Sequence, residues 1–344
     1  MPGLMRSAIL VEPGRIELRE VPAPQAPPGG IVVRVRAALT DGTDLKAYRR
    51  GHPQMPMPTP FGHEFSGDVA AAGAGLSRFS VGDAVMCVHS APCGACYWCV
   101  HGQEELCESV MSTKILGAYA EYIEVPAHIV EQNCYRKPPD LSYVAAAFLE
   151  PLSCVVHSIE YAGFAEGSTV AVMGDGGFGI LHAALLQHDG FRAVLFGRRE
   201  ERLALARSLG VGDVVDARTQ DPAAAIRALT QERGADGLIE CTGRQEVWEQ
   251  APHLVRRGGI VSFFGGLPAE ARVAFSAARL HYDEVRLTSP FHFTPRAVRR
   301  AYELLAQRRL DPLPLVTQTV PLAQVAAVFE RLDGGEGVKF AIEP

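Results

Sequence analysis

From Ser7 to about Glu150, apolar and polar positions alternate in short runs such as Ile31-Val32-Val33-Arg34-Val35-Arg36. Pro22, Pro24, Pro27, Pro28, Gly29 and Gly30 interrupt them. Alternation with a period of two, broken by turn formers, predicts a β-rich domain of many short strands. The pattern changes after Gly167. An apolar run at 170–173 leads through glycines into a helix-like stretch, a second run follows at 193–196, and an Ala/Leu/Arg segment ends at Gly210. Further strands are expected at 237–240 and 260–264, each followed by a glycine turn. Strand alternating with helix predicts βαβ units and a parallel sheet, with ligands at the carboxyl ends of its strands. Beyond Val285 the period is mixed again, with a helical run at 297–308 and a strand-like 338–342. The expected organisation is α/β overall, with a β-rich domain from residues 1–152 and 286–344 and a parallel-sheet domain from residues 153–285, although periodicity alone would also allow the tail to form a separate small subdomain.

Composition agrees with two domains. A chain of 344 residues with 47% hydrophobic and 21% charged residues is longer than one core usually grows. Net charge is -6, and although 29 of the 33 basic residues are arginine, no basic block occurs, which sets nucleic acid aside as a partner. Residues 1–11 hold one arginine and an apolar run too short for a secretory signal, and no stretch of about 18 apolar residues would span a bilayer. A soluble, cytoplasmic protein without a membrane partner is expected.

Of eight cysteines, Cys93, Cys96, Cys99 and Cys107 crowd into fifteen residues, whereas Cys87, Cys134, Cys154 and Cys241 are scattered. The scattered four read as small buried hydrophobes. Four thiolates at close spacing complete a tetrahedral zinc site with no open position, so the crowded four imply a structural zinc. A disulfide pair is the alternative, and a reducing compartment disfavours it.

Gly174-Asp175-Gly176-Gly177-Phe178-Gly179 follows a strand and opens a helix, the context that a dinucleotide-binding turn requires. Gly174 permits the tight turn, Gly176 admits a pyrophosphate, and Gly179 lets the helix pack on the strand, with the helix N-terminus facing the phosphates. The next strand ends Gly197-Arg198-Arg199, where an NAD enzyme usually places an acid for the adenosine ribose. Glycine removes that carboxylate and two arginines offer donors to a 2′-phosphate, which favours NADP over NAD. The alternative is that Arg198 and Arg199 only begin the exposed face of the next helix.

Asp41, His63, Glu64 and Glu150 are poor evidence singly. In order along the chain, however, Asp41-Gly42-Thr43-Asp44-Leu45, Gly62-His63-Glu64-Phe65-Ser66-Gly67-Asp68-Val69, Val81-Gly82-Asp83-Ala84-Val85, the four-cysteine loop, Gly117-Ala118-Tyr119-Ala120-Glu121-Tyr122, Glu150-Pro151-Leu152 and the glycine turn resemble the zinc-containing medium-chain dehydrogenases over nearly the whole chain. The likeness is greatest to the sorbitol, threonine and glucose dehydrogenase branches, which place Glu-Pro where Glu150-Pro151 stands. The resemblance implies a groES-like catalytic domain, a Rossmann domain, an active site in the cleft between them, and a homodimer or homotetramer. It implies transfer of hydride between a small secondary alcohol, polyol or sugar hydroxyl and NAD(P), at a second, catalytic zinc bound by Asp41, His63 and Glu150. Glu64 binds that ion directly or exchanges with water and substrate. Thr43 contacts the substrate oxygen and passes its proton onward, and Asp44 orients His63 through its ring nitrogen.

Two positions depart from the family pattern. The usual first ligand, cysteine, is Asp41. Aspartate keeps the charge, and its shorter metal bond, about 2.0 to 2.2 Å against about 2.3 Å to sulfur, partly offsets the longer side chain. A harder ligand weakens zinc relative to thiolate and admits other divalent ions. Lys46 stands where many relatives carry a relay histidine. If Asp41 marks a lost catalytic metal, the chain is a metal-free reductase of quinones or activated double bonds. A non-catalytic nucleotide-binding protein would also keep the fold and the cysteine site.

Overall fold

The alternation in the first part of the chain becomes antiparallel sheet. The structure, a computed structural model, describes residues 3–53 and 55–344. Strands β1 (Leu4–Glu12), β2 (Arg15–Pro22), β3 (Ile31–Leu39), β4 (Thr59–Pro60), β5 (Glu64–Ala72), β6 (Ala84–Cys87), β7 (Tyr122–Val125) and β8 (Cys134–Arg136) precede the change of pattern. In β3 the two arginines, Arg34 and Arg36, face solvent while the other residues are buried, as a strand with one wet face near its middle requires. β3 pairs antiparallel with β5 and with β7. Beneath it Phe61 packs against Tyr119 and Phe329, with ring centroids 5.4 and 5.0 Å apart. Burying an aromatic ring of this size contributes about 1.5–3 kcal/mol.

The parallel-sheet unit uses β9 (Thr169–Met173), β10 (Arg192–Gly197), β11 (Asp213–Asp216), β12 (Ala235–Glu240), β13 (Val255–Phe263) and β14 (Arg286–Thr288). Their order is β11-β10-β9-β12-β13-β14 and every pairing is parallel. The strand order reverses between β9 and β12, the point where such sheets take their ligands. β14 corrects the expected boundary at residue 286: it pairs with β13, and Leu287 packs on the core of this unit. Three residues are too few to show a period, so the sequence pattern missed it.

The chain divides into two compact units, one running up to Ser153 and including Phe293–Pro344, the other Cys154–His292. The last segment completes the first unit. Strand β15 (Val316–Pro321) pairs with β16 (Lys339–Glu343), and β16 pairs antiparallel with β3 through Ala341 and Leu39. That register brings Lys339 close to the turn after β3. Among the described residues no helix is long and apolar enough to cross a membrane.

Candidate active site and metal centres

The turn after β3 leads into the helix Gly42–Arg50, and Asp41 is its N-cap: Asp41 Oδ2 accepts the Thr43 N–H at 2.6 Å. Its other oxygen, Oδ1, is buried and accepts no hydrogen bond from the described residues. One turn into the helix, Asp44 is fully buried and accepts hydrogen bonds from the Tyr119 hydroxyl and from His63, whose Nδ1 lies 3.0 Å away. A carboxylate accepts rather than donates, so a proton sits on Nδ1, and the His63 Nε2 faces Asp41, 3.7 Å from Oδ2. Gly62 has a positive φ of 88°, and a Cβ there would lie 2.8 Å from the Tyr119 ring. Glycine thus lets the chain carrying His63 pass over the tyrosine that holds Asp44.

Glu150 comes from the first turn of the helix Leu149–Ala162 and is buried. Its Oε1 lies 3.3 Å from Nδ1 of His89, a buried residue just beyond β6. Donor atoms of His63, His89 and Glu150 lie within 4.8 Å of one another, as do those of Asp41, His63 and Glu64. His63 belongs to both groups, so they form one buried cluster. Sequence reasoning missed His89, which follows an apolar strand and sits in no spacing motif.

Burial opposes a charged His63, but Asp44, Glu150 and Asp41 outweigh it and hold its pKa well above the ordinary value. Burial likewise opposes the Asp41 carboxylate, yet His63, Lys339 and hydrogen bonds from Thr43 bring its pKa below the usual range. His89 is held well below the ordinary histidine value by burial, then by His63 and Lys114, and is a neutral imidazole. Several buried carboxylates around one nitrogen and one orphaned oxygen fit a divalent cation, which would repay their desolvation.

Glu64 behaves differently. Lys339 Nζ donates to both of its carboxylate oxygens, 2.7 Å from Oε1, and to the Thr40 carbonyl at 2.6 Å. The residue expected to bind or exchange at the metal is thus engaged by a lysine from the end of the chain. Thr43 is half-buried at the start of the same helix as Asp44.

The four sulfurs of Cys93, Cys96, Cys99 and Cys107 lie within 4.8 Å of one another. Cys93 and Cys99 are 4.0 Å apart and Cys96 and Cys99 3.5 Å, near the roughly 3.8 Å edge of a tetrahedron with metal–sulfur bonds of about 2.3 Å. Backbone N–H groups aim at the sulfurs, Cys93 N–H at Cys107 Sγ (3.2 Å) and Cys96 N–H at Cys93 Sγ (3.3 Å). Burial opposes ionisation of Cys107, but the hydrogen bonds from Ser109 and the Cys93 N–H bring it down to about 6. No cysteine is in a disulfide.

In the parallel-sheet unit the turn from Gly174 to Gly176 joins β9 to the helix Gly177–His188, whose N-terminus has no side-chain cap. A Cβ on Gly179 would meet the Gly174 carbonyl at 1.9 Å, whereas one on Gly176 would meet nothing within 4 Å. Close packing at the first and open space at the second is what a pyrophosphate-binding turn needs. Phe178 lies on that first helical turn, its ring 4.9 Å from Phe264. Gly197 ends β10, and Arg198 and Arg199 follow at the start of the next helix, Glu200–Ser208. The backbone N–H groups of both arginines are bonded to Asp175. Gly197 carries no carboxylate, but one stands beside it.

Family models match both units, one described as Alcohol dehydrogenase GroES-like domain over residues 27–138 and one as Zinc-binding dehydrogenase over residues 177–307. The chain is 32% identical over 339 residues to the L-threonine 3-dehydrogenase of Symbiobacterium thermophilum, covering 95% of this chain and 94% of that one. It is 29% identical over 338 residues to the sorbitol dehydrogenase of Bacillus subtilis (strain 168), covering 96% and 94%. A structure from Sinorhizobium meliloti 1021 bound to NADP matches with a TM-score of 0.89 at 28% identity, covering 100% of both chains.

Proposed function

We propose, for a chain that belongs to the zinc-containing medium-chain dehydrogenases and is an NAD(P)-dependent alcohol or polyol dehydrogenase, that Asp41, His63 and Glu150 hold its catalytic ion. The observation that carries this assignment is the buried Asp41 Oδ1, which no hydrogen bond satisfies, beside the inward-facing Nε2 of His63. A divalent ion held there would supply Lewis acidity toward a substrate hydroxyl, and a bound nicotinamide would be the hydride acceptor. Three carboxylate or imidazole ligands leave a fourth position for that hydroxyl.

The remaining groups position and exclude. Asp44, held by Tyr119, fixes the ring of His63. His89 stands at Oε1 of Glu150 and orients that carboxylate, while the edge of the His89 ring against Phe293, centroids 5.6 Å apart, keeps this wall apolar. Lys339 retains Glu64 as an ion pair behind the ligands, so Glu64 tunes the cluster's charge rather than completing its ligand set. Thr43 places a hydroxyl at the helix start for the substrate oxygen. Cys93, Cys96, Cys99 and Cys107 hold a second, structural zinc.

The dinucleotide is held by Gly174, Gly176, Gly177, Phe178 and Gly179, and the guanidinium groups of Arg198 and Arg199 favour NADP. The substrate carries a secondary hydroxyl on a polyol, a sugar or a similar small alcohol. The test is a panel of polyols, aldoses, cyclitols and simple secondary alcohols with NAD and NADP, run beside metal analysis. Two ions per chain with alcohol turnover support the reading. One ion with turnover of quinones or activated double bonds instead supports a metal-free reductase, and one ion with no turnover a nucleotide-binding protein.

A further inference from the structure

Gly197 lacks the acid that usually meets the adenosine ribose, yet a carboxylate from another element occupies that place. Asp175, inside the glycine turn after β9, reaches across to β10, where its Oδ2 accepts the N–H groups of Arg198 at 2.7 Å and Arg199 at 2.8 Å. A Cβ built on Gly197 would lie 2.5 Å from Leu203 Cδ2, 2.6 Å from Asp175 Cβ and 2.8 Å from Asp175 Oδ2. A side chain at 197 and the carboxylate of Asp175 therefore exclude each other: glycine is the residue that admits Asp175. Both of these N–H groups converge on one carboxylate oxygen, Oδ2.

A competing carboxylate is already engaged. Asp216 lies opposite Gly197 in the sheet register, but Arg218 takes it with Nε at 3.0 and 3.2 Å and Nη2 at 2.7 Å. Asp175 instead feels the charge of Arg202. Arg202 is half-buried, and burial, then the charge of Arg199, lower its pKa against the pull of Asp175. The end of β10 thus carries a carboxylate held by two backbone N–H groups, with Arg202 acting on it from the next helix.

We propose that Asp175 reads the adenosine ribose of the dinucleotide, accepting the ribose hydroxyls of NAD and opposing the 2′-phosphate of NADP. This rests on the reading that the parallel-sheet unit binds a nicotinamide dinucleotide. A carboxylate is acceptor-only, so it suits a diol and repels a phosphate. By occupying two backbone N–H groups at the start of the helix Glu200–Ser208, it also withholds donors that an anion at a helix N-terminus would use. Cofactor preference is then a balance, with Arg198 and Arg199 on one side and Asp175 on the other.

The experiment titrates the zinc-loaded protein with 5′-AMP and 2′,5′-ADP by calorimetry, a binding readout independent of turnover. Asp175→Asn keeps an oxygen for the two N–H groups and removes the charge. It should tighten 2′,5′-ADP relative to 5′-AMP by about tenfold, with a melting temperature close to that of the wild type. Gly197→Ala, which displaces Asp175, should move the ratio in the same direction. Arg198→Ala with Arg199→Ala should move it the other way. If both nucleotides bind with a ratio that Asp175→Asn leaves unchanged, or if that variant weakens both equally, Asp175 only caps the helix and the proposal is overturned alone. Wild-type protein that binds neither nucleotide overturns the dinucleotide reading and the proposal with it.

Discussion

Lys339 and Glu64, 275 residues apart, form a fully enclosed ion pair beside the candidate catalytic cluster. Both glutamate oxygens receive the ammonium, which also bonds the carbonyl of Thr40, the residue before Asp41. The pair therefore ties the C-terminal strand to the turn that carries the first candidate ligand. Removing one partner of a buried pair strands the other's charge, at about 3–5 kcal/mol. Lys339→Met should lower the melting temperature markedly, and Lys339→Met with Glu64→Gln should recover much of the loss. Thermal unfolding of the three proteins checks this; no recovery in the double variant would mean that packing, not charge, is what Lys339 provides.

Asp41 has two separable tasks, one per oxygen. Oδ2 caps a helix, and losing such a cap costs about 1 kcal/mol. Oδ1, buried without a hydrogen-bond partner, is the oxygen proposed to meet the ion. Asp41→Asn should keep the cap and weaken the ion, so bound metal should fall from two per chain to one with little change in melting temperature. Asp41→Ala should lose both, and His63→Ala should match the metal loss of either. Asp41→Cys should tighten zinc through the thiolate while giving up the cap. Metal analysis beside thermal unfolding separates the tasks, and two ions retained in Asp41→Ala would reduce Asp41 to a turn residue.

The four-cysteine loop should matter for stability more than for chemistry. Cys99→Ser should release one zinc per chain and lower the melting temperature, while the ion at His63 and Glu150 stays. Zinc content and melting temperature both unchanged would remove the structural role assigned to this loop.

How much of this was legible in the sequence differs from element to element. Strand period and glycine context were enough for the β-rich part and the parallel sheet, because Ile31–Leu39 and Thr169–Met173 express their faces locally. Arg286–Thr288 was not legible, since it is too short to carry a period. The ligand candidates Asp41, His63 and Glu150 were visible only through the order of their motifs. His89 and Lys339 depend on which strands lie side by side, the first through β6 pairing with β5 and the second through β16 pairing with β3, and not on local pattern. One signal was present all the same. The chain has four lysines against 29 arginines, and none of Lys46, Lys114, Lys137 and Lys339 is exposed. In a chain that charges its surface with arginine, lysine itself marked enclosed sites. At Gly197 the absent side chain was legible, but the carboxylate of Asp175 beside it was not, because it comes from a different strand's turn.

His182 should make the parallel-sheet unit sensitive to acid. It lies fully buried in the helix Gly177–His188, its Nδ1 donates to the Phe178 carbonyl at 2.8 Å, and its Nε2 has no hydrogen-bond partner among the described residues. Burial, against the Phe178 hydrogen bond, lowers its pKa to about 4. An unfolded histidine titrates near 6.5, so between pH 6.5 and 4 the unfolded chain binds a proton that the folded chain refuses. Stability from this residue is therefore complete above pH 6.5 and is lost as pH falls toward 4, by up to about 3 kcal/mol. His182→Leu removes the titrating group and keeps an apolar side chain against Phe264, whose ring centroid lies 4.6 Å from that of the imidazole. The melting temperature of the wild type should fall more between pH 7.5 and pH 5 than that of His182→Leu, both measured with zinc bound. Equal falls would place the acid sensitivity elsewhere, and a steeper fall in the variant would reverse the sign of the argument.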